Sequence, residues 1–201
     1  ILLERLKPYA KNHEILFIDD GSNDLSNILL FKCPFIKLCT IENNSGKGVA
    51  LQFGIKNSVN DKVIIWDGDL ELNPDEIKKL MILNKEYGPE CTFGSRYENI
   101  NPFKSFWDLG NFFITKLFNF INNTDIKDVL CCAKAFYKKD LELQKLESTS
   151  FDIDLEISEM LINKINVIEI IKLSFIRRTR TEGKKLSPKD VWPIIKRILK
   201  T

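Results

Sequence analysis

The chain has 201 residues, of which 44% are hydrophobic and 29% charged, and this size and balance predict one globular domain with a substantial core. Thirty basic residues against 28 acidic ones leave a net charge of +2, which argues against nucleic acid as a partner. Five cysteines without a C-x-x-C pair and a single histidine argue against a disulfide framework or a zinc site, and they favour a reducing cytosol.

Strand-like and helix-like segments alternate along the chain. Short apolar runs rich in β-branched residues predict strands, and apolar residues at helical spacing predict helices. The predicted strands are 14–18, 35–41, 63–66, 91–94, 130–137 and 167–173. The predicted helices are the end of one at 1–9, then 25–31, 49–57, 74–87, 138–145, 153–163 and 188–199. This alternation is typical of a parallel α/β sheet.

The most informative stretch is an apolar run that ends abruptly in acids. Val63–Trp66 predicts a strand buried on both faces of a parallel sheet. Asp67, Asp69 and Glu71 follow directly, at the end of the strand where ligands gather in open α/β sheets. In an extended chain Asp67 and Asp69 would lie about 6.6 to 7 Å apart. The glycine between them allows a bend that brings one or both carboxylates to a hard cation.

Two other polar turns follow predicted strands. Asp19 and Asp20 end the first strand, where a carboxylate can bind a nucleobase or ribose, although Asp-Gly-Ser is also an ordinary turn. Lys47 lies in a glycine-bearing loop that lacks the first glycine and the final Ser or Thr of an ATP-binding P-loop. We therefore exclude a P-loop and retain Lys47 as a candidate ligand contact.

Further acids stand beside elements of the second half. Asp128 comes just before a predicted strand, and Asp152 and Asp154 begin a predicted helix, where capping and catalysis are equal alternatives. We expect Glu159, farther along the same helix, to be solvated. Basic residues crowd the segment 172–200, which could attract phosphates or an anionic membrane surface, although charge runs are usually solvated.

Seven aromatic residues are interleaved with polar ones between 103 and 120. We favour a helix that packs on the sheet. The alternative is a helix that is partly exposed to a membrane interface or to a lipid.

Five motifs, taken in chain order, resemble those of one enzyme family. They are Ile18-Asp19-Asp20-Gly21-Ser22, Asn44-Ser45-Gly46-Lys47-Gly48, Asp67-Gly68-Asp69-Leu70-Glu71-Leu72-Asn73-Pro74, Gly94-Ser95-Arg96 and Arg178-Thr179-Arg180-Thr181-Glu182-Gly183-Lys184-Lys185. In this order they resemble family 2 glycosyltransferases, in the branch of dolichol-phosphate mannose synthase and of bacterial polyprenyl-phosphate or cell-wall glycosyltransferases. The resemblance covers nearly the whole chain.

The resemblance implies an α/β fold of the GT-A type, a Rossmann-like three-layer sandwich with a mostly parallel central sheet. It implies one catalytic domain over 1–201, with a nucleotide-sugar half at about 1–97 and an acceptor half at about 98–201. The family's sheet begins with a central strand that this sequence lacks. We therefore expect the chain 1–201 to be truncated and to fold poorly by itself.

The resemblance also implies the activity, an inverting transfer of a sugar from a UDP- or GDP-sugar with Mg²⁺ or Mn²⁺ as the cofactor. Together with the strand ends above, it predicts the residues of the site. They are donor-binding Asp19, Asp20, Lys47, Asp67 and Arg96; metal-binding Asp67, Asp69 and Glu71; phosphate-binding Arg178, Arg180, Lys184 and Lys185; and catalytic Asp69, Asp128 and Asp152.

The acceptor that we favour is a polyprenyl or dolichyl phosphate at the cytosolic face of a membrane, because the aromatic segment and the basic C-terminus suit it. A phosphomonoester has a second pKa of about 6 and is already anionic at neutral pH, so Asp128 and Asp152 would position it. A saccharide hydroxyl would instead need one of them as the general base. Alternative functions are a non-catalytic nucleotide-sugar-binding module and, less favoured, a sugar nucleotidyltransferase.

Overall fold

The computed structural model describes residues 1–22, 26–178 and 191–200. The strands are β1 (Leu16–Asp20), β2 (Lys37–Ile41), β3 (Lys62–Ile65), β4 (Cys91–Ser95), β5 (Lys134–Tyr137) and β6 (Ile168–Lys172). The α-helices are α1 (Leu2–Leu6), α2 (Ser26–Phe31), α3 (Lys47–Asn57), α4 (Phe106–Asn122), α5 (Ile153–Ile162) and α6 (Val191–Ile198). Short 3-10 helices span Lys7–Lys11, Pro74–Leu80, Lys138–Asp140 and Leu143–Lys145.

The strands form two sheets. β1 and β2 pair in parallel, with Leu16 opposite Lys37 and Asp20 opposite Ile41. The second sheet has the order β3-β5-β4-β6, in which β4 and β6 are parallel and β5 runs antiparallel to both β3 and β4. The prediction of an α/β fold is confirmed. Both parallel and antiparallel pairs are present because β5 runs against its two neighbours.

The surroundings of β3 differ from those that its sequence predicts. The prediction of a parallel sheet around Val63–Trp66 is wrong for the pairing of β3, whereas apolar clusters do pack on both faces of the run, with Ile65 in one cluster and Trp66 against the other. Within the described residues β3 pairs with the antiparallel β5 alone, and Val63 and Ile64 stay half-buried while Ile65 is buried. A β-branched apolar run indicates a strand, but it does not specify the direction of the neighbouring strand.

No strand ladder joins the two sheets in the part of the chain that the structure describes, so β1 and β3 each keep one unpaired edge. α3 packs on β1 at Gly54, where a Cβ would lie 2.9 Å from Cγ1 of Ile18. The N–H and C=O groups of an unpaired edge need another hydrogen-bond partner or water. That the chain 1–201 folds poorly by itself stays a prediction.

Two predicted helices are shorter and tighter than expected. The helix predicted at 74–87 is a 3-10 helix that ends at Leu80. The chain then turns, because the side chain of Asn84 accepts hydrogen bonds from the amides of Glu86 and Tyr87. The helix predicted at 138–145 is two separate one-turn 3-10 helices.

Apolar clusters cover both faces of the four-stranded sheet. Side chains alternate along β5, so that Phe136 joins one cluster and Ala135 joins the other. The first cluster includes Phe93 of β4, Phe118 of α4 and Leu155 of α5. The second cluster includes Leu72, Leu80, Leu83, Ala133 and Leu173. Because β3, β4 and β6 run in one direction, their carboxyl ends meet at the same edge of this sheet.

Candidate functional site

The two acids that end β1 both hold backbone turns. The carboxylate of Asp20 accepts hydrogen bonds from the amides of Ser45 and Gly46, each at 2.8 Å. Asp19 is buried and accepts the amide of Ser22 at 3.3 Å. These contacts match the turn that the Asp-Gly-Ser motif also suggested. Binding of the donor by Asp19 and Asp20 stays a prediction.

Asp67, Asp69 and Glu71 follow β3 and form what we call the acidic edge. Lys47 is a cation that contacts this edge. α3 begins at Lys47, two residues earlier than predicted, and the Nζ of Lys47 lies 2.8 Å from Oδ2 of Asp154 and 3.1 Å from Oδ2 of Asp67. Burial alone would lower the pKa of Lys47, but the charges of Asp154 and then Asp67 outweigh it and hold that pKa well above its ordinary value. The ammonium of Lys47 therefore stays charged between its two acidic partners.

A loop before α5 supports the position of Lys47. Glu156 is fully buried, and its two carboxylate oxygens accept the amides of Glu147 and Ser148 at 2.9 and 2.8 Å. Arg197 of α6 neutralises Glu156 at 3.0 Å. A Cβ on Gly48 would lie 2.1 Å from the carbonyl oxygen of Ser148, so the start of α3 can approach this loop only with glycine there.

Arg178 pairs with the other two acids of the predicted metal site. Its Nη2 lies 2.7 Å from Oδ2 of Asp69, and its backbone amide donates to Oε1 of Glu71 at 3.0 Å. An isolated antiparallel β-bridge between Leu72 and Phe175 holds the segment after β3 beside the segment after β6. Arg178, the last described residue before 191, therefore lies beside the acids. Arg180, Lys184 and Lys185 fall outside the described residues.

The donor chemistry of this edge fits a hard divalent cation, since Asp67, Asp69 and Glu71 offer oxygen atoms alone. In the described residues no group of three or more acidic, histidine or cysteine side chains is arranged to hold an ion. Lys47 contacts Asp67, and Arg178 contacts Asp69 and Glu71. Arg178 would therefore compete with an ion for Asp69. The metal assignment stays a prediction.

Asp128 is fully engaged by Arg96. Two parallel hydrogen bonds of 2.7 and 2.8 Å join the guanidinium to the carboxylate, and the Arg96 amide and the Asn111 side chain donate to the same carboxylate. Burial raises the pKa of Asp128, but the charge and hydrogen bonds of Arg96 outweigh burial and lower that pKa below its ordinary value. A carboxylate in this state is a poor base, so the geometry favours a positioning role for Asp128.

The acids of α5 lie in three different settings. Asp152 is half-buried at the start of the helix and makes no side-chain capping bond. Asp154, for which capping and catalysis were alternatives, pairs with Lys47 instead. The expectation of a solvated Glu159 is wrong, because it is partly buried and lies 3.3 Å from Arg197.

Two basic residues of the C-terminus, Arg197 and Lys200, are already paired with acids of the chain. This pairing reduces the positive charge that the C-terminus offers to phosphates.

A cavity of about 720 Å³ opens beside this site, at the carboxyl ends of β4 and β6. The charged residues that line it are Glu76, Lys79, Arg96, Glu98, Lys104, Asp108, Lys172 and Arg177. Arg177 is fixed in its wall by Asp108 and by the Tyr97 hydroxyl at 3.0 Å. Phe175 lies close to two guanidiniums, with ring-centre distances of 5.5 Å to Arg96 and 5.7 Å to Arg177. The predicted site residues did not include Arg177 or Asp108, which only the general basic and aromatic segments indicated. Asp154 was considered as a cap or a catalytic acid but was not included in the predicted site.

The model of glycosyl transferase family 2 matches residues 2–143. The chain therefore belongs to glycosyl transferase family 2, and the predicted resemblance to that family of enzymes is confirmed.

Curated relatives include human dolichyl-phosphate beta-glucosyltransferase, 26% identical over 202 residues that cover 91% of this chain and 61% of the relative. Undecaprenyl-phosphate 4-deoxy-4-formamido-L-arabinose transferase of Pectobacterium atrosepticum is 34% identical over 90 residues, 40% of this chain and 28% of the relative. The matched part of the chain thus spans between 28% and 61% of the length of these relatives.

Among solved structures, glucosyl-3-phosphoglycerate synthase of Mycobacterium tuberculosis in complex with uridine diphosphate matches with a TM-score of 0.72 at 13% identity, over 99% of this chain and 73% of that one. The same enzyme with Mn²⁺ and UDP-glucose matches with a TM-score of 0.69 at 14% identity, over 98% of this chain and 73% of that one. At such identities the likeness shows the fold, and it confirms the predicted GT-A type.

Proposed function

We propose that this chain transfers a sugar from a UDP- or GDP-sugar to a polyprenyl or dolichyl phosphate, by an inverting, metal-assisted displacement at the cytosolic face of a membrane. The observation that carries the proposal is the acidic edge itself. Asp67, Asp69 and Glu71 follow β3 and meet two fixed cations, Lys47 and Arg178, in a chain of a glycosyltransferase family. The lipid phosphates named in two relatives support the choice of acceptor.

For the sugar donor, we propose that the acidic edge and its cations compensate the negative charge of the leaving nucleoside diphosphate. A Mg²⁺ or Mn²⁺ ion held by Asp69, with Asp67 or Glu71, would neutralise the leaving nucleoside diphosphate. Lys47, which Asp154 keeps protonated, and Arg178 supply fixed positive charge beside the same acids. Fixed cations that are already ordered stabilise developing negative charge without further reorganisation.

The acceptor half is consistent with the state of Asp128. In an inverting displacement the acceptor oxygen bonds to the anomeric carbon from one side while the bond to the diphosphate breaks on the other. A phosphomonoester is already anionic and needs no general base. Asp128, held by Arg96, then has a positioning role, and Lys172 in the cavity wall offers positive charge to the acceptor phosphate. A saccharide hydroxyl would leave Asp152 as the candidate base.

The test is release of nucleoside diphosphate from UDP- and GDP-sugars with dolichyl phosphate as the acceptor, with and without Mn²⁺. Replacing Asp69 by Ala should abolish metal-dependent turnover. Asp125→Asn is a matched control, because Asp125 is an exposed aspartate whose ion pair is with Lys127, outside the acidic edge. Turnover retained in the Asp69 variant would contradict the assignment.

A non-catalytic binding module is the second candidate, and the pairing of the acids favours it. Lys47 and Arg178 already pair with the acids of this edge in the described conformation. Isothermal titration with UDP-glucose and GDP-mannose, followed by the turnover assay, separates the two functions. Binding without release of nucleoside diphosphate from any donor and acceptor pair would support the module.

A further inference from the structure

The helix α4 leaves an apolar stripe open to solvent. The exposed fractions of Phe103, Phe106, Phe113 and Phe120 are 92%, 72%, 62% and 85%. We define the α4 stripe as Phe103, Phe106, Phe113, Leu117, Phe120 and Ile121. Soluble monomers rarely expose so many large apolar side chains in one place, and such patches mark interaction sites.

The spacing places the stripe on one side of the helix. Phe106, Phe113, Leu117 and Phe120 follow at intervals of seven, four and three residues, which is the repeat of one helical face. The opposite face is buried and includes Asn111, Ile114, Thr115 and Phe118. The prediction of a helix packed on the sheet therefore describes one face of α4, and the exposed alternative describes the other.

The charges beside the stripe have one sign. Lys104 and Lys116 are exposed, whereas Asp108, the only acid between 103 and 122, is buried and paired with Arg177. Asp125, just past the end of α4, is exposed but paired with Lys127. Within 103–122 the exposed phenylalanines and lysines, without an exposed acid, complement an anionic lipid surface. A second copy of this chain would bring the same lysines to the contact, where like charges repel.

The dimensions favour a helix that lies on a bilayer. At 1.5 Å per residue, the 17 residues of α4 extend for about 25 Å. Among the residues described, no helix is both long and apolar enough to pass through a membrane. An interfacial helix buries its apolar face among the acyl chains and keeps its lysines at the headgroups.

We propose that the α4 stripe binds the surface of an anionic lipid bilayer, with α4 lying in the plane of the headgroups. The start of α4 also borders the cavity, since Lys104, Ser105 and Asp108 line it. Binding through the stripe would thus bring the cavity mouth to the membrane surface. The binding of a lipid acceptor in the cavity rests on the proposed function. The binding of the α4 stripe to the bilayer does not.

Vesicle co-sedimentation tests this surface with the full chain. We would compare vesicles of phosphatidylcholine alone with vesicles that also contain about 30% phosphatidylserine, whose negative surface potential attracts basic residues. The variant F113S/F120S should lower the partition coefficient by about tenfold or more for each phenylalanine removed. K116E should weaken binding to the anionic vesicles by about tenfold and leave binding to neutral vesicles little changed.

Tyr87→Ser is the matched control, because Tyr87 is 88% exposed but lies before β4, outside the stripe. Its partition coefficient should equal that of the unchanged chain. Since Phe113 and Phe120 are exposed, their replacement should leave the melting temperature nearly unchanged. The stripe variants should also keep turnover with a water-soluble short-chain prenyl phosphate and lose it selectively with long-chain acceptor in vesicles.

The outcomes distinguish a lipid bilayer from a second copy of the chain as the partner of the α4 stripe. Equal vesicle binding by F113S/F120S and the unchanged chain would overturn the proposal. So would the absence of vesicle binding together with a dimer that dissociates in F113S/F120S, because the stripe would then bind a second copy of the chain. A chain that binds vesicles through the stripe but turns over no donor would uphold this inference and refute the proposed function.

Discussion

The Nζ of Lys47 lies 2.8 Å from Oδ2 of Asp154, across 107 positions of sequence. This contact joins the start of α3 to the start of α5 and, through Asp67 at 3.1 Å, to the end of β3. Both partners of the closer contact are largely buried, so the pair is shielded from solvent. It therefore connects the predicted nucleotide-sugar half to the predicted acceptor half at the acidic edge.

Asp154→Asn should destabilise the chain by about 1 to 3 kcal/mol, because it removes a charged hydrogen-bond partner from Lys47. In a Lys47→Met background the same substitution should stabilise the chain instead, since the buried carboxylate has then lost its cation. Urea unfolding of the four chains measures both effects. A change of the same sign and size in both backgrounds would show that the two residues are not coupled.

Asp128→Asn should destabilise the chain more strongly, by about 3 to 5 kcal/mol, because it leaves the largely buried Arg96 without its counter-charge. Asn111→Ala removes one neutral donor to the same carboxylate and should cost about 1 kcal/mol. Denaturant midpoints give both values. Equal midpoints for the two variants would contradict the central role of the Arg96 pair.

Acid should weaken the fold in part through Asp128. The pKa of its carboxyl is lowered in the folded chain, so its stabilising contribution is full above the unfolded value of about 3.9 and is lost as the pH falls through the folded value. Between pH 7 and pH 3 the unfolding free energy of the unchanged chain should fall below about pH 4. Asn111→Ala keeps the ion pair and should follow the same profile, whereas Asp128→Asn should show a smaller loss.

Arg178→Gln should raise the affinity for Mn²⁺, because it releases Asp69 from its cation. The pair is partly exposed, so its strength is about 1 kcal/mol and the expected gain is roughly fivefold. Mn²⁺ titration followed by electron paramagnetic resonance measures the change without turnover. Arg5→Gln, which removes a surface arginine bound to Asn73, is the control and should leave the affinity unchanged. Weaker Mn²⁺ binding by Arg178→Gln would show that Arg178 does not compete with the ion.

Local patterns predicted most of the elements. The strand before Asp67 and the long helix around Phe112 follow from apolar spacing. The structure places Arg178 beside Asp69, whereas the phosphate-binding role of the basic segment stays a prediction. That charged residues after different strands lie close together can be predicted from the sequence, because strands that run in one direction bring their carboxyl ends to the same edge.

Other features have no local signature. Asp154 stands where capping residues stand, and nothing near it in sequence indicates Lys47 as its partner. Asp128 resembles a free acid until Arg96, 32 positions earlier, is placed beside it. The antiparallel direction of β5 is likewise set by the path of the chain and not by the residues of β3. Tertiary contacts decide these features, and a single sequence does not display them.

The most direct measurement is the product formed from a radiolabelled UDP- or GDP-sugar and dolichyl phosphate with Mn²⁺. We expect a lipid-linked sugar phosphate whose anomeric configuration is opposite to that of the donor, with one nucleoside diphosphate released for each sugar transferred. Asp69→Ala should give no product, and Asp125→Asn should give a normal yield. Retained synthesis in Asp69→Ala, or donor binding without a lipid-linked product, would contradict the proposed transfer.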